Sequence, residues 1–155
     1  MITDPTTPNA AQMRMRSPVQ VAALFCGIGF FAIGFAGFVP VLTMNFNSIE
    51  MATDSDAMLL GIFQVSVLHN VIYLLLGIAG LGLSRLPGMA RWYLRIGGIV
   101  NALLWIFGLF VDKDSTANFV PINIADDWLY FVLALTLIGL SFLPGRPEAP
   151  YPHGS

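Results

Sequence analysis

The residues that decide the fold are Ala57 to Leu83, AMLLGIFQVSVLHNVIYLLLGIAGLGL. This stretch is almost entirely apolar, carries no formal charge, and is long enough to cross a bilayer as one tilted helix. Its strongly polar pair, His69 and Asn70, lies near its middle. Because lipid tails offer no hydrogen-bond partners, an imidazole and an amide at this depth require other helices around them. The stretch therefore predicts an integral membrane protein.

The composition of the whole chain agrees with a lipid-facing exterior. Of its 155 residues, 56% are hydrophobic and only 10% are charged, whereas soluble proteins contain about 25% charged residues. The single cysteine, Cys26, lies within an apolar run. The sequence therefore excludes both a disulfide framework and a metal site built from several cysteines.

The apolar segments predict an all-α integral membrane fold, a four-helix transmembrane bundle that occupies residues 18–143 as one domain. Residues 1–17 are polar and predict a flexible N-terminal tail. The Pro-rich residues 144–155 predict an extended C-terminal tail, because proline cannot continue a helix. The first span exceeds the apolar region of a signal peptide, about 7–15 residues, so we expect it to remain as an anchor. The expected spans are 18–39, 57–83, 92–111 and 125–143.

The charged side chains alternate between the two ends of this four-span arrangement. The acidic end contains one basic residue, Lys113. By the positive-inside rule, we expect both termini on the cytoplasmic side of a bacterial plasma membrane. The basic residues of the other end are Arg14, Arg16, Arg85, Arg91, Arg95 and Arg146. The acidic residues are Glu50, Asp54, Asp56, Asp112, Asp114, Asp126 and Asp127.

Several polar side chains are expected at similar depth and predict a structural polar layer. Such hydrogen bonds contribute about 0.6 kcal/mol each, and small residues nearby would let the helix backbones approach closely. The alternative is a proton relay or a ligand pocket, since ionisable residues within a membrane often mark one. A single histidine without a carboxylate at that depth favours the structural interpretation. The layer comprises His69, Asn70, Tyr73, Asn101 and Thr136, and the small residues are Gly27, Ala32, Gly34, Ala36, Gly77, Gly80, Gly98 and Ala102.

Two pairs of residues have the spacing of helix caps. Thr53 and Asp56 precede the second span, and Asn123 and Asp126 precede the fourth. The aspartates could instead bind a divalent cation from outside, but no loop has calcium-site spacing. We therefore expect helix caps, no metal and no cofactor.

The sequence contains no motif that indicates catalysis. It has no Ser-His-Asp set, Walker loop, haem-attachment motif or dinucleotide fingerprint. We therefore expect no enzymatic activity. A nucleic-acid partner is also excluded, because the basic residues are few and flank the predicted spans.

Three segments of the chain are together similar to a bacterial family of four-span membrane proteins. They are GFAGFVP at 34–40, LLGIFQVSVLHNVIYLLLG at 59–77 and PINIADDWLYFVLA at 121–134. That family is known only as domain of unknown function 4383, so the resemblance implies the architecture and no activity. It also implies histidines at two positions where this chain has Tyr73 and Tyr130. A metal or redox centre built on those histidines would be largely lost here. The positions that match the family pattern are His69, Asn70, Asn123 and Asp126.

These features lead us to expect a non-catalytic accessory or assembly subunit of a larger bacterial membrane complex. By analogy, a respiratory-chain complex or supercomplex is the assembly we expect. The expected partners are the lipid bilayer and other membrane-protein subunits. The alternatives are a small transporter or channel, or a lipid- or quinone-binding protein, that uses His69, Asn70 and Asn101.

Overall fold

The computed structural model of the protein describes residues 16–115 and 117–145. Most of both predicted tails, with Arg14 and Arg146, therefore lies outside the described residues. Four α-helices dominate the described part, which confirms the predicted number of main helices. They are α1 (Pro18–Ala36), α2 (Val67–Leu83), α3 (Pro87–Phe110) and α4 (Ile124–Leu140).

The four helices run in alternating directions, so that the start of α1 meets the end of α2. Gln20 Nε2 donates a hydrogen bond to the carbonyl oxygen of Ser84 at 3.0 Å. Arg91 donates from its guanidinium to the carbonyl oxygen of Leu143, just beyond α4, at 3.1 Å. We call this end of the bundle, which carries Arg85, Arg91 and Arg95, the arginine end.

Two of the helices, Pro18–Ala36 and Gly88–Phe110, are long and apolar enough to cross a membrane. The apolar helix Val67–Leu83 is shorter, with 17 residues. At 1.5 Å per residue it is about 26 Å long, slightly less than the roughly 30 Å hydrocarbon core of a bilayer. Each helix also carries large apolar side chains that are exposed in the isolated chain, including Phe25, Leu75, Leu103 and Leu135. Surfaces of this kind indicate contact with lipid or with another protein.

The prediction of one continuous helix from Ala57 to Leu83 is wrong. Residues 57–66 instead contribute to a three-stranded antiparallel sheet, whose strands pair in their order along the chain. Leu60 and Gly61 turn the chain between two of the strands with φ angles of 53° and 69°. These left-handed values do not occur inside an α-helix, and glycine adopts them without steric cost. The strands are β1 (Thr43–Met44), β2 (Met58–Leu59) and β3 (Phe63–Gln64).

The start of α2 also corrects the predicted caps. Ser66 is the N-cap of this helix, and its hydroxyl accepts a hydrogen bond from the backbone N–H of His69 at 3.2 Å. Thr53 and Asp56 therefore do not cap the second helix; they lie in the loop before β2. The predicted cap at Asn123 and Asp126 is confirmed, because each side chain accepts from the backbone N–H of the other.

The remaining helix boundaries differ from the prediction by a few residues. Helix α1 ends at Ala36 instead of residue 39, and α3 begins at Pro87 instead of residue 92. Proline is favoured in the first turn of a helix, where its missing N–H removes no hydrogen bond. Helix α4 was predicted to end at residue 143 but ends at Leu140, because Ser141 to Leu143 form turns.

Glycines allow α1 and α2 to pack with their backbones in contact. A Cβ added to Gly27 would lie 2.8 Å from the backbone nitrogen of Leu81, and one added to Gly77 would lie 2.6 Å from Phe31 Cα. Gly34 and Gly80 are enclosed in the same way. This bears out the predicted role of these glycines, whereas Ala32, which was predicted with them, is exposed. Helix α3 packs in the same way mainly on α4, so the four helices form two hairpins.

Candidate functional site

The polar side chains of greatest interest lie at the end of the bundle opposite the arginines. We call it the sheet end, because strands β1 to β3 cover the starts of α2 and α4 there. A cavity of about 120 Å³ lies beneath the sheet. Its lining combines polar and apolar side chains from α1, the sheet, α2 and α4: Ile33, Leu59, Leu60, Phe63, Val65, His69, Tyr73, Asp126 and Leu129.

His69 lies in the first turn of α2 and is only 5% exposed. Its ring stacks on Tyr73, one helical turn later, with 4.7 Å between ring centroids. Its Nε2 and the hydroxyl of Tyr130 form a hydrogen bond at 3.1 Å, in which the donor depends on the histidine tautomer. His69 therefore connects α2 to α4 near the sheet end. It does not lie at the middle of its helix, because α2 begins at Val67, ten residues after the predicted start at residue 57.

Asp126 joins the first turn of α4 to the sheet. Its Oδ2 accepts hydrogen bonds from the backbone N–H of Asn123 at 2.9 Å and of Gln64 at 3.1 Å. The Asn123 side chain makes a second connection by donating to the carbonyl oxygen of Ile62 at 2.8 Å. The carboxylate is buried, so these N–H donors replace the water that it loses. Asp126 thus caps its own helix and holds strand β3 in place.

Some buried polar atoms near the cavity have no hydrogen-bond partner among the described residues. They include His69 Nδ1 and both polar atoms of the Asn70 amide. The Asn70 side chain lies directly against Gly37, where a Cβ would overlap it. Unsatisfied polar groups are rare in folded proteins because each one costs about 1–3 kcal/mol. The His69 Nδ1 and Asn70 amide atoms are enclosed by neighbouring atoms and do not open onto the cavity.

The structure does not bring all members of the predicted polar layer together. His69, Asn70 and Tyr73 are buried in the first two turns of α2. Asn101 is buried in α3, but its Nδ2 donates to the carbonyl oxygen of Gly97 in the same helix at 2.8 Å. Thr136 is exposed on α4. The prediction assumed a common depth, and this assumption depended on the incorrect start of α2.

A second polar contact at the sheet end involves Lys113, the single basic residue predicted there. Its ammonium group pairs with Asp127 Oδ2 at 2.8 Å and donates to the carbonyl oxygen of Gly108 at 2.6 Å. A side chain at Gly108 would overlap the Asp127 carboxylate. The ion pair therefore joins the loop after α3 to the first turn of α4.

The carboxylates and histidine of the described segments do not assemble into a typical metal site. Within residues 16–115 and 117–145, no group of three or more His, Cys, Asp or Glu side chains is close enough to hold a metal ion. The arrangement at His69 instead combines hydrogen-bonding groups with aromatic rings. Chemically, it is suited to binding a small molecule or to holding helices together.

The sequence contained partial signals for this cluster. His69 and Tyr73 are four residues apart, as are Asp126 and Tyr130, and such pairs share one face of a helix. Sequence reasoning missed Gln64, because its contact with Asp126 crosses 62 positions and uses the backbone N–H. No side-chain pattern reveals which backbone groups a distant carboxylate will accept.

A family model described as "Domain of unknown function (DUF4383)" matches residues 20–143. The chain belongs to the DUF4383 family. The matched region includes nearly all of the four helices and the whole cluster at His69. No curated protein and no solved structure was found to match the chain. Tyr73 and Tyr130, which stand where the family resemblance implied histidines, both adjoin His69 in this DUF4383 domain.

Proposed function

We propose that this chain is a non-catalytic accessory subunit that stabilises a larger complex in the bacterial plasma membrane. The observation that carries the proposal is the close packing of α1 on α2. Because Gly27, Gly34, Gly77 and Gly80 lack side chains, these backbones come into contact and leave no room for a side chain between them. A rigid hairpin of this kind suits a protein whose role is to hold a shape beside others.

The same features argue against transport as the main activity. A transport pathway through the bundle would require His69, Asn70 and Asn101 to line one continuous opening. Asn101 instead bonds within its own helix, and the Asn70 amide is enclosed against Gly37. These side chains point to separate structural roles, so an accessory subunit explains them better than a channel does.

We further propose that all four helices cross the membrane and that both termini are cytoplasmic. The distribution of charge supports this orientation. Arg85, Arg91 and Arg95 lie at one end of the bundle, while Asp54, Asp56 and Asp114 line a polar depression at the other. Arginines are retained on the cytoplasmic side of membrane proteins. Helices α2 and α4 have only 17 residues each. They would cross the hydrocarbon core where the bilayer is locally thinned, or with the sheet end occupying the remaining thickness.

The partner we propose is another multi-pass membrane protein, and a subunit of a respiratory complex is the first candidate to test. Photo-crosslinking amino acids at one outward position of each helix would test this in native membranes. The four outward positions, which are 59–66% exposed, are Phe25, Leu75, Leu103 and Leu135. The buried Leu94 serves as the matched control.

We expect one or two of the outward positions to capture the same protein at a constant ratio, while the others capture only lipid. Position 94 should yield only crosslinks within the chain. A role as an accessory subunit would be rejected if all four outward positions captured lipid alone, and if the chain migrated as a single protein after extraction in mild detergent.

A further inference from the structure

The arginine end of the bundle holds one guanidinium group between two aromatic rings. Cζ of Arg95 lies 5.8 Å from the centroid of the Trp92 ring and 5.9 Å from that of Phe142. Both distances fall within the roughly 6 Å range of cation–π contacts. Such contacts attract the cation but supply no oxygen acceptor for the five N–H groups of a guanidinium. Arg95 is half-buried, and its nitrogen atoms are not enclosed in the way that Nε of Arg91 is.

No carboxylate of the described residues balances this cation. The ion pair within the described segments joins Lys113 to Asp127 at the sheet end. The acidic side chains of these segments belong to the sheet end and to the loops that lead to it. Arg85 and Arg91 add further positive charge beside Arg95 at the arginine end. The charge distribution therefore calls for an anion from outside the described chain.

We propose that Arg95 binds the phosphate group of an anionic phospholipid in the leaflet at the arginine end. The planar guanidinium group matches the geometry of phosphate, with which it forms paired hydrogen bonds. Basic pockets between helices on the cytoplasmic side of membrane proteins bind anionic lipid headgroups in this way. The site rests on the membrane orientation proposed above and is independent of the accessory role.

The local charges favour an anionic lipid over a zwitterionic one. Phosphatidylcholine also offers a phosphate, but its ammonium group would lie near Arg85 and Arg91, without a carboxylate of the described residues to pair with. Like charges brought together in this way are destabilising. A headgroup with a phosphate and no ammonium group avoids this repulsion.

The position of Arg95 corresponds to the level of lipid headgroups. Phe142 follows the end of α4 at Leu140, and both Phe142 and Trp92 are exposed. Tryptophan is enriched where the hydrocarbon core of a bilayer meets its headgroups. The hydrogen bond from Arg91 to the carbonyl oxygen of Leu143 holds the segment that contains Phe142 against α3. The two aromatic rings are therefore fixed beside Arg95 by contacts within the protein.

Apolar side chains continue the site towards the middle of the bilayer. Ile99 lies one helical turn beyond Arg95 on the same face of α3. On α4, Leu135 lies about two turns before Phe142. Both Ile99 and Leu135 are exposed, so they could contact the acyl chains of a lipid whose phosphate is at Arg95. A soluble phosphate would use none of this apolar surface, and a lipid is therefore the ligand that the site fits.

The test uses the full chain in nanodiscs that contain equal amounts of phosphatidylglycerol and phosphatidylcholine with the same acyl chains. Native mass spectrometry of the released protein counts the lipids that stay bound. We expect phosphatidylglycerol to be retained about fivefold more often, the effect of one arginine near an anionic membrane surface. Excess glycerophosphoglycerol, the same headgroup without chains, should not displace it. Displacement would show that a soluble anion is the ligand and would overturn the assignment to a lipid.

Variants separate a specific site from general attraction by positive charge. Arg95→Gln should abolish the preference for phosphatidylglycerol, whereas Arg85→Gln removes the same charge from an exposed position at the same end and should keep it. Arg95→Lys keeps the charge without the planar group and should reduce the preference. Phe142→Leu should also reduce it, because one of the two rings that contact the guanidinium is lost. Thermal melting verifies that each variant is folded.

Three results would overturn the lipid site alone. They are equal retention of the two lipids by the wild type, equal losses in Arg95→Gln and Arg85→Gln, and wild-type retention by both folded Arg95→Lys and Phe142→Leu. Reconstitution in phosphatidylcholine alone tests the membrane crossing separately. Failure of the chain to enter those discs would overturn the membrane orientation and the lipid site together.

Discussion

The backbone N–H of Gln64 donates to Oδ2 of Asp126 at 3.1 Å, and this hydrogen bond attaches the small sheet to α4. The same oxygen accepts from the N–H of Asn123. We expect Asp126→Ala to lower the free energy of unfolding by about 2–4 kcal/mol, because each buried N–H without an acceptor costs about 1–3 kcal/mol. Unfolding in mixed micelles by titration with SDS provides the measurement.

Asp56 offers the matched control for this prediction. It has the same carboxylate and was predicted to cap α2, but it is exposed and lies before β2. Asp56→Ala should change the free energy of unfolding by no more than about 0.5 kcal/mol. Equal losses in the two variants would contradict the assignment of Asp126 as the connecting residue.

The contact of α1 with α2 leads to a second prediction. Gly77→Ala places a methyl group within 2.6 Å of Phe31 Cα, so the two helices must separate. We expect a loss of about 1–3 kcal/mol in the free energy of unfolding, as in other overpacked interiors. Gly82, in the same helix, faces open space. Gly82→Ala should therefore leave stability unchanged or raise it by up to about 1 kcal/mol; similar losses for both would show that packing is not the cause.

A third prediction concerns the pair of Lys113 and Asp127, whose side chains are 27% and 12% exposed. Lys113→Met leaves a partly buried carboxylate without its counter-charge. The resulting loss in the free energy of unfolding should fall between the roughly 0–1 kcal/mol of an exposed ion pair and the roughly 3–5 kcal/mol of a buried one. Adding Asp127→Asn should recover part of that loss. A double-mutant cycle measures the coupling, and strictly additive effects would argue against a stabilising pair.

The proposed orientation leads to a fourth prediction, for a Cys26→Ser background with one introduced cysteine. Leu86 lies in the turn between α2 and α3 at the arginine end, and Asp114 lies in the loop after α3; both are exposed. A membrane-impermeant maleimide should label Asp114→Cys in intact cells. It should label Leu86→Cys only after the cells are permeabilised. Labelling of both positions from the same side would refute the four-span topology.

Much of the architecture could be predicted because it depends on local chemistry. Apolar runs between polar segments indicated four helices, and the Asn123 and Asp126 cap follows from residues three positions apart. The glycines of α1 and α2 are visible as small residues at helical spacing. Each of these signals is contained within one segment, so no knowledge of distant contacts is needed.

The candidate site could be predicted only in part. His69 and Asn70 stand out as polar residues in an apolar run, but their depth was assigned wrongly. Hydrophobicity could not distinguish residues 57–66 as strands from a continuation of the helix, because both are apolar. Asn101 and Thr136 were grouped with His69 for the same reason.

By itself, the sequence determined a family, DUF4383, the four main helices of the described residues, and a separation of acidic from basic side chains. These are consequences of composition and of contacts between residues close in the chain. Only the tertiary structure decided that α2 begins at Val67 and that His69 meets Tyr130, 61 positions away. It also decided that a cavity lies beneath the sheet. The physical reason is that a hydrogen bond or a cavity between distant segments depends on how all of them pack together, which no single segment specifies.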